Sequence, residues 1–309
     1  MSIIKLSILI PTYNRCNFLD ECLAKLVTRG FNNVECEINV SDNASIDSTK
    51  EVVSKYNVNY RRNAINLGYS GNIEALIREA RGEYIVILGD DDEFLFDWSY
   101  IKTVIEYNYD LYIFGFEKNI LDMTDISNKN IDKLPLGFVG DCIQKNTNTF
   151  KSRFVNFRGR SNSPQFFARI DVLNSINSKI YYQANEIIRR SESSNKYIKP
   201  KQVSVIEKVK KIFIRPLDYT YYWYEARKAL KLLYPDDVAK YWIKIIDKSV
   251  ILSRQKHLQE SGPFALMYYW FFQLYYRAFK YPGFAFYIVK VILIAVFINT
   301  TQYFNKNNG

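Results

Sequence analysis

Asn66 to Glu93 reads NLGYSGNIEALIREARGEYIVILGDDDE, and its character changes four times along that stretch. Asn66, Gly68, Ser70 and Gly71 make a turn-rich opening. Ile73, Leu76, Ile77 and Ala80 then fall three and four residues apart, which places them on one face of a helix. Gly82 is the expected C-terminal stop of that helix. Glu83 to Leu88 (EYIVIL) is nearly all apolar, the pattern of a strand buried on both faces of a parallel sheet. Asp90, Asp91 and Asp92 follow at once.

The same alternation runs outward on both sides. Upstream, KLSILI (residues 5 to 10) is a short apolar strand halted by Pro11. Leu19, Cys22, Leu23, Leu26 and Val27 share a helical face, and Gly30 ends that helix. Cys36 to Val40 reads as a second strand. Ser45 to Val53 carries helix-start residues, and Asn57 to Arg61 is a third short strand. Downstream, Asp110 to Phe116 (DLYIFGF) is a further strand. Strand and helix in alternation predict an α/β fold, a doubly wound and mostly parallel sheet. Ligands bind such sheets beyond the carboxyl ends of the strands. That rule selects three polar loops: Pro11-Thr12-Tyr13-Asn14-Arg15, Ser41-Asp42-Asn43-Ala44-Ser45, and Gly89-Asp90-Asp91-Asp92-Glu93.

Three adjacent carboxylates at the end of a buried strand repel one another, and burial increases the cost. A divalent cation relieves it. Mg²⁺ and Mn²⁺ are hard ions that take carboxylate oxygen and leave positions open for phosphate. The alternative is a solvated acidic turn or a helix start, where acidic residues are favoured by the helix dipole.

The three blocks resemble the family 2 glycosyltransferases of the GT-A fold, bacterial enzymes of cell-surface polysaccharide assembly. SILIPTYNR (Ser7 to Arg15) is similar to that family's first strand and loop. SDNASIDST (Ser41 to Thr49) resembles its nucleoside-binding segment, and Asn66 to Glu93 resembles the run into its metal motif. The resemblance implies a nucleotide-sugar donor, UDP-sugars being the commonest. It implies that Pro11, Thr12 and Tyr13 line the nucleoside pocket, with Arg15 near the diphosphate. Asp42 would contact the base, Asn43, Ser45 and Asp47 would shape its loop, and Asn66 and Gly68 would lie close to the nucleotide. Asp90, Asp91 and Asp92 match the DxD-type motif, with Gly89 standing where the family commonly has its first aspartate. Asp91 and Asp92 are then the expected ligands of Mn²⁺ or Mg²⁺, with Asp90 in support. Ile180 to Glu207 is similar to the region that carries the catalytic base, and Glu186 falls at the expected acidic position. Glu207 stands where many relatives carry a histidine, and is a candidate third metal ligand.

Composition frames these expectations. The chain has 309 residues, of which 48% are hydrophobic and 24% charged, so it can bury a sizeable core. The net charge is +10, and residues 196 to 256 hold 15 Lys or Arg against 6 Asp or Glu. Such a segment calls for an anionic partner, nucleic acid or a membrane surface, or is a solvated basic face. The four cysteines form no CxxC pair and the single histidine, His257, lies in a polar stretch, so no Cys/His zinc pattern exists. The N-terminus lacks the plan of a signal peptide, which predicts a cytoplasmic protein.

Residues 1 to 210 are the expected GT-A catalytic domain. Residues 211 to 309 are the expected helical extension, aromatic and basic. Within it, residues 264 to 279 are strongly aromatic, and residues 284 to 298 are apolar except for Lys290. That apolar run is shorter than the roughly twenty residues a membrane span needs. Tyr and Trp beside Lys and Arg suit a helix lying in the headgroup region. Core packing is the other reading. The expected partners are a nucleotide-sugar donor, a lipid-linked saccharide acceptor and the cytoplasmic face of the inner membrane, with no nucleic acid. Two other functions bear on the same features. A nucleotidyltransferase would need a Gly-rich phosphate loop, and PTYNR has no glycine. A nucleic-acid-binding module would use the interleaved aromatics and lysines, but no reader motif accompanies them.

Overall fold

The computed structural model describes residues 3–115, 142–158, 164–174, 177–183, 185–189, 215–244 and 247. Glu207, His257 and the stretches 264–279 and 284–298 lie outside the described residues. By its contacts the chain divides into two units. One is Met1–Arg158 with Ser163–Lys199, and the other is Gly159–Asn162 with Pro200–Gly309.

The first unit is an α/β sheet domain. Its strands are β1 (Leu6–Thr12), β2 (Cys36–Asp42), β3 (Asn59–Arg62), β4 (Tyr84–Ile87), β5 (Glu93–Phe94), β6 (Leu111–Phe114), β7 (Cys142–Lys145), β8 (Ile180–Gln183) and β9 (Ile188–Arg189). Seven of them form one sheet in the order β3-β2-β1-β4-β7-β6-β8. The β1–β2, β2–β3, β1–β4 and β6–β8 pairs are parallel, and β7 runs antiparallel to both β4 and β6. The sheet is therefore mostly parallel, as the alternation predicts. β5 and β9 make a separate antiparallel ribbon.

Helices cover both faces. α1 (Cys16–Thr28), α2 (Thr49–Val53) and α4 (Trp98–Ile105) pack on the side where β1 points Leu6, Ile8 and Ile10. α3 (Gly68–Glu79) and α5 (Asn148–Phe157) bury Ile73, Leu76, Ile77, Phe150 and Phe154 against Leu9, Ile85 and Ile87 on the other. Alternate residues of one strand thus feed two cores. Short helices α6 (Pro164–Ala168) and α7 (Ile170–Asn174) follow α5.

Three local expectations are corrected. Pro11 does not stop β1, which continues to Thr12 and pairs Pro11 with Ser41. Thr12 accepts from Asn43 on the β2 side, so the missing N–H of Pro11 points to the β4 side, where pairing ends at Leu9 and Ile87. Val27 is exposed, because the buried face of α1 is Leu19, Cys22, Leu23 and Leu26. Gly82 is not a helix cap: α3 ends at Glu79 and Ala80 is already extended. Gly82 is required instead because a Cβ there would lie 2.6 Å from the Ser7 backbone nitrogen. Gly30 does sit in the left-handed region, at φ 78°, where α1 ends.

In the second unit the described residues form α8 (Arg215–Leu233) and a further helical stretch, 236–244. Ala226, Ala229, Leu230 and Trp242 are buried, and Arg227 pairs with Asp247 at 2.8 Å. No helix among the described residues is long and apolar enough to cross a membrane.

Candidate active site

Parallel pairing brings the carboxyl ends of β1, β2 and β4 to one edge of the sheet, so the three polar loops are neighbours. Hydrogen bonds stitch them together. The Asn14 amide donates to Ser45 Oγ at 2.9 Å, and the Ile46 amide donates to Asn14 Oδ1 at 2.8 Å. Both connecting residues are held in the left-handed region, Asn14 at φ 53° and Ala44 at φ 66°. Asp47 accepts the Cys16 amide at 2.9 Å, satisfying an open donor at the start of α1.

Asn43 joins the second loop to the segment before α3. Its Nδ2 donates to Asn66 Oδ1 at 2.7 Å and to the Gly68 carbonyl at 3.3 Å. Its Oδ1 accepts from the Leu67 amide at 2.8 Å and from Asn63 Nδ2 at 3.1 Å. Gly68 has φ 69° with open space around it, so its backbone conformation, not crowding, calls for glycine. Asn72 completes the network, donating to the Ser41 carbonyl and accepting from Ser41 Oγ and Asn63.

The acidic run follows β4 in a tight turn closed by the Asp92 amide on the Gly89 carbonyl at 3.1 Å. A Cβ on Gly89 would stand 2.6 Å from Asp92 Oδ2. Asp91 Oδ1, at 3.2 Å, closes in on the same position, so both carboxylates face Gly89. Asp90 is 5% exposed and accepts from Thr12 Oγ1 at 2.8 Å. Burial pushes its pKa up to about 6; Arg15 and Thr12 oppose the shift, and Asp91 and Asp92 add to it. Arg15 lies across the run, with Nη2 2.5 Å from Asp91 Oδ2 and Nε 3.2 Å from Asp90 Oδ1. Its guanidinium also sits 4.6 Å from the centre of the Phe18 ring.

Among the described residues, no three His, Cys, Asp or Glu side chains converge as a metal cage. Two carboxylates with phosphate completing the sphere are nevertheless a common donor set for Mg²⁺, so Asp91 and Asp92 fit such an ion in its chemistry.

Asp42 is fully buried and both its oxygens are engaged. Oδ1 accepts the Ser45 amide at 2.7 Å, and Oδ2 accepts the Tyr60 hydroxyl at 2.8 Å and Arg62 Nη1 at 3.3 Å. Burial, then the bond to Asp42, raises the Tyr60 pKa to about 12. Arg62 also donates to the Ser45 carbonyl at 2.6 Å. In this arrangement Asp42 braces its loop, and a direct contact with a base requires Arg62 or Tyr60 to give way. Tyr13 is exposed, and Thr12 is buried.

Glu186 reaches the same edge by a longer route. β6 is parallel to β4, with β7 between them, so Gly115 lies about 10 Å to the side of the end of β4. Gly115 has φ 75°, its amide donates to the Asn185 carbonyl at 3.2 Å, and a Cβ on it would meet Glu186 Cγ at 3.1 Å. The Leu95 amide donates to the Ile187 carbonyl at 2.7 Å, and Arg189 pairs with Glu93 at 2.8 Å. The segment carrying Glu186 is thus fastened to the segment that continues the acidic run. Glu186 itself is exposed.

Sequence reading did not single out Tyr60, Arg62, Asn63 or Asn72. The polar run NYRRN at residues 59 to 63, unusual for a strand, was the available signal. It also passed over Tyr69, an exposed side chain beside Gly68 whose pKa is raised to about 12, by desolvation first.

Comparison with known proteins bears on the family and the fold. Over 130 residues the chain is 35% identical to the abequosyltransferase RfbV of Salmonella typhimurium, covering 40% of this chain and 39% of the relative. Over 102 residues it is 36% identical to the GalNAc(5)-diNAcBac-PP-undecaprenol beta-1,3-glucosyltransferase of Campylobacter jejuni, covering 29% and 31%. The chain therefore spans well under half the length of these relatives. The mannosyltransferase PcManGT of Pyrobaculum calidifontis, solved with GDP-Man and Mn²⁺, shares the GT-A fold at a TM-score of 0.51 and 13% identity, over 96% of this chain and 88% of that one. The family model for glycosyl transferase family 2 matches residues 7–192, more than half of the chain and all three strand-end loops, and the chain belongs to that family.

Proposed function

We propose that this chain is an inverting, metal-dependent glycosyltransferase that moves a sugar from a nucleoside-diphosphate sugar, with UDP-sugars favoured, to a hydroxyl of a lipid-linked glycan. The convergence of the three stitched loops on the Asp90-Asp91-Asp92 run, with Arg15 across it, carries the reading. Pro11, Thr12, Tyr13, Asn43, Ser45, Asn66 and Gly68 enclose the nucleoside, and Asp42 holds or contacts it. A Mn²⁺ or Mg²⁺ ion on Asp91 and Asp92, with Asp90 in support and Glu207 as a further candidate, would neutralise charge on the departing diphosphate. Arg15 meets the same diphosphate. The Glu186 carboxylate takes the proton of the acceptor hydroxyl. That oxygen bonds to the anomeric carbon as the bond to the diphosphate breaks, and the centre inverts.

The acceptor reading draws on the undecaprenol-linked name of the Campylobacter relative and on the aromatic, basic character of residues 211–309. That region is proposed as a membrane-associated extension of a catalytic domain ending near residue 210. It would keep the protein on the cytoplasmic face of the inner membrane, as a peripheral protein or through residues 284–298.

A panel of UDP-, GDP-, dTDP- and CDP-sugars, read by thermal shift and by sugar transfer with and without Mn²⁺, tests the whole. One donor should raise Tm and be consumed. If none shifts Tm and none is transferred, the proposal fails. Asp91→Ala and Asp92→Ala should each abolish metal-stimulated transfer, and full activity in both would end the metal assignment. A chain truncated after Ser261 should lose the binding to anionic liposomes that the full chain shows.

A further inference from the structure

Asp90 and Asp91 already have a cation. Arg15 is paired with both, and the two carboxylates are largely shielded from solvent. Its grip is uneven. Nη2 makes a short bond to Asp91, while the buried Nε, close to Asp90, makes no hydrogen bond. Asp90 spends its other oxygen on Thr12. The backbone of Arg15 is fixed on both sides: Asn14 is bonded to Ser45, Cys16 to Asp47, and the Arg15 carbonyl accepts the Leu19 amide. Any movement therefore belongs to the side chain, which is about one-third exposed and lies against Phe18.

Arg15 holds Asp91 Oδ2, an oxygen of a carboxylate that a divalent ion would use, and a guanidinium beside such an ion is opposed by like charge. We propose that Arg15 is an internal counter-ion of the acidic run, which must leave Asp91 before a divalent cation is bound and is drawn off by the diphosphate of the donor. This rests on the metal and diphosphate reading above and extends it. Metal and nucleotide then bind cooperatively, each strengthening the other by the same factor. Asp90 and Asp91 keep a counter-charge while the site is empty, and metal is recruited with the donor.

The test is Mn²⁺ titration of the full chain, following free Mn²⁺ by electron paramagnetic resonance, alone and with UDP, GDP, CDP or dTDP. Wild type should bind Mn²⁺ weakly alone and about tenfold or more tightly with one of the nucleotides. Arg15→Gln should bind Mn²⁺ alone about tenfold more tightly than wild type, with the nucleotide effect reduced. Arg15→Lys, which keeps the charge but loses the planar fork, should fall between them. Damage to the fold would weaken Mn²⁺ binding, so the expected gain separates the proposal from a structural role. Equal or weaker Mn²⁺ binding in Arg15→Gln overturns the counter-ion proposal alone. Mn²⁺ binding that survives in Asp91→Ala and Asp92→Ala, or is absent from every sample, overturns the metal reading and the proposal with it.

Discussion

Gly89→Ala is the sharpest test of the acidic turn, because the structure sets the size of the perturbation. The new methyl would begin 2.6 Å from Asp92 Oδ2 and 3.1 Å from Asp92 Cγ. Ordinary contact begins near 3.4 Å, so the carboxylate must retreat by about 0.8 Å. Gly89 does not occupy the left-handed region, so alanine brings no backbone strain of that kind. The obstacles are the ends of two side chains, Asp92 and, at 3.2 Å, Asp91 Oδ1, and both can move. Alanine also restricts the unfolded chain, a gain of roughly 0.4–1 kcal/mol that offsets part of the crowding. Stability should therefore change by less than about 1 kcal/mol. Function should not be so lenient, since a misplacement of about 1 Å at a reacting centre costs on the order of 10²-fold in rate. The assays are the urea midpoint, Mn²⁺ affinity in the presence of nucleotide, and kcat/KM with the donor identified by the panel. A near-wild-type midpoint with transfer down about 10²-fold is the expected result. Undiminished transfer would show that the position of the Asp92 carboxylate does not matter. A loss of several kcal/mol in stability would place the defect in the fold instead.

Three other substitutions separate scaffold from chemistry. Gly82→Ala should destabilise by about 1–3 kcal/mol in urea unfolding, because its Cβ meets backbone atoms of Leu6 and Ser7 that cannot step aside; an unchanged midpoint would contradict the close approach. Glu37→Gln should cost about 1–3 kcal/mol at pH 7, since the buried carboxylate accepts from Ser7 Oγ, the Arg81 amide and the Arg81 guanidinium. Burial works to raise the Glu37 pKa, but these bonds prevail and lower it, so the stabilisation is complete above the ordinary glutamate range and is lost as pH falls through the lowered value. The gap between wild type and Glu37→Gln should then stay constant from pH 5 to 8 and narrow in acid, and a gap that widens in acid would reverse the assignment. Glu186→Gln should slow turnover by about 10²-fold or more with donor binding retained, whereas lost donor binding would make it a structural residue.

Much of the framework was legible because local periodicity reports burial directly. EYIVIL could only be a strand covered on both faces, and β4 is central and fully buried. The helical faces of α1 and α3 followed from three- and four-residue spacing, with Val27 exposed at the edge of its stripe and Ala80 just past the end of α3. β7 was not legible. CIQK is too short to show a period, and it earns its place by antiparallel pairing with β4 and β6, far apart in sequence. Pro11 misled because a proline ends a strand only where its N–H would have been used, and that depends on the neighbouring strand's length.

The sequence by itself determined the α/β alternation, the family and the three polar loops, since each is written in consecutive residues. The tertiary structure decided how those residues are used. It buried Asp42 between Tyr60 and Arg62, laid Arg15 across Asp90 and Asp91, and fastened the segment of Glu186 to the end of the acidic run. It also gave Gly82 its reason, a neighbouring strand, and set the Asp91 and Asp92 carboxylates against Gly89. Spacing along a chain reports which face a residue occupies. The partner it meets there depends on strand order and on the distance between side chains, which are set only when the sheet closes.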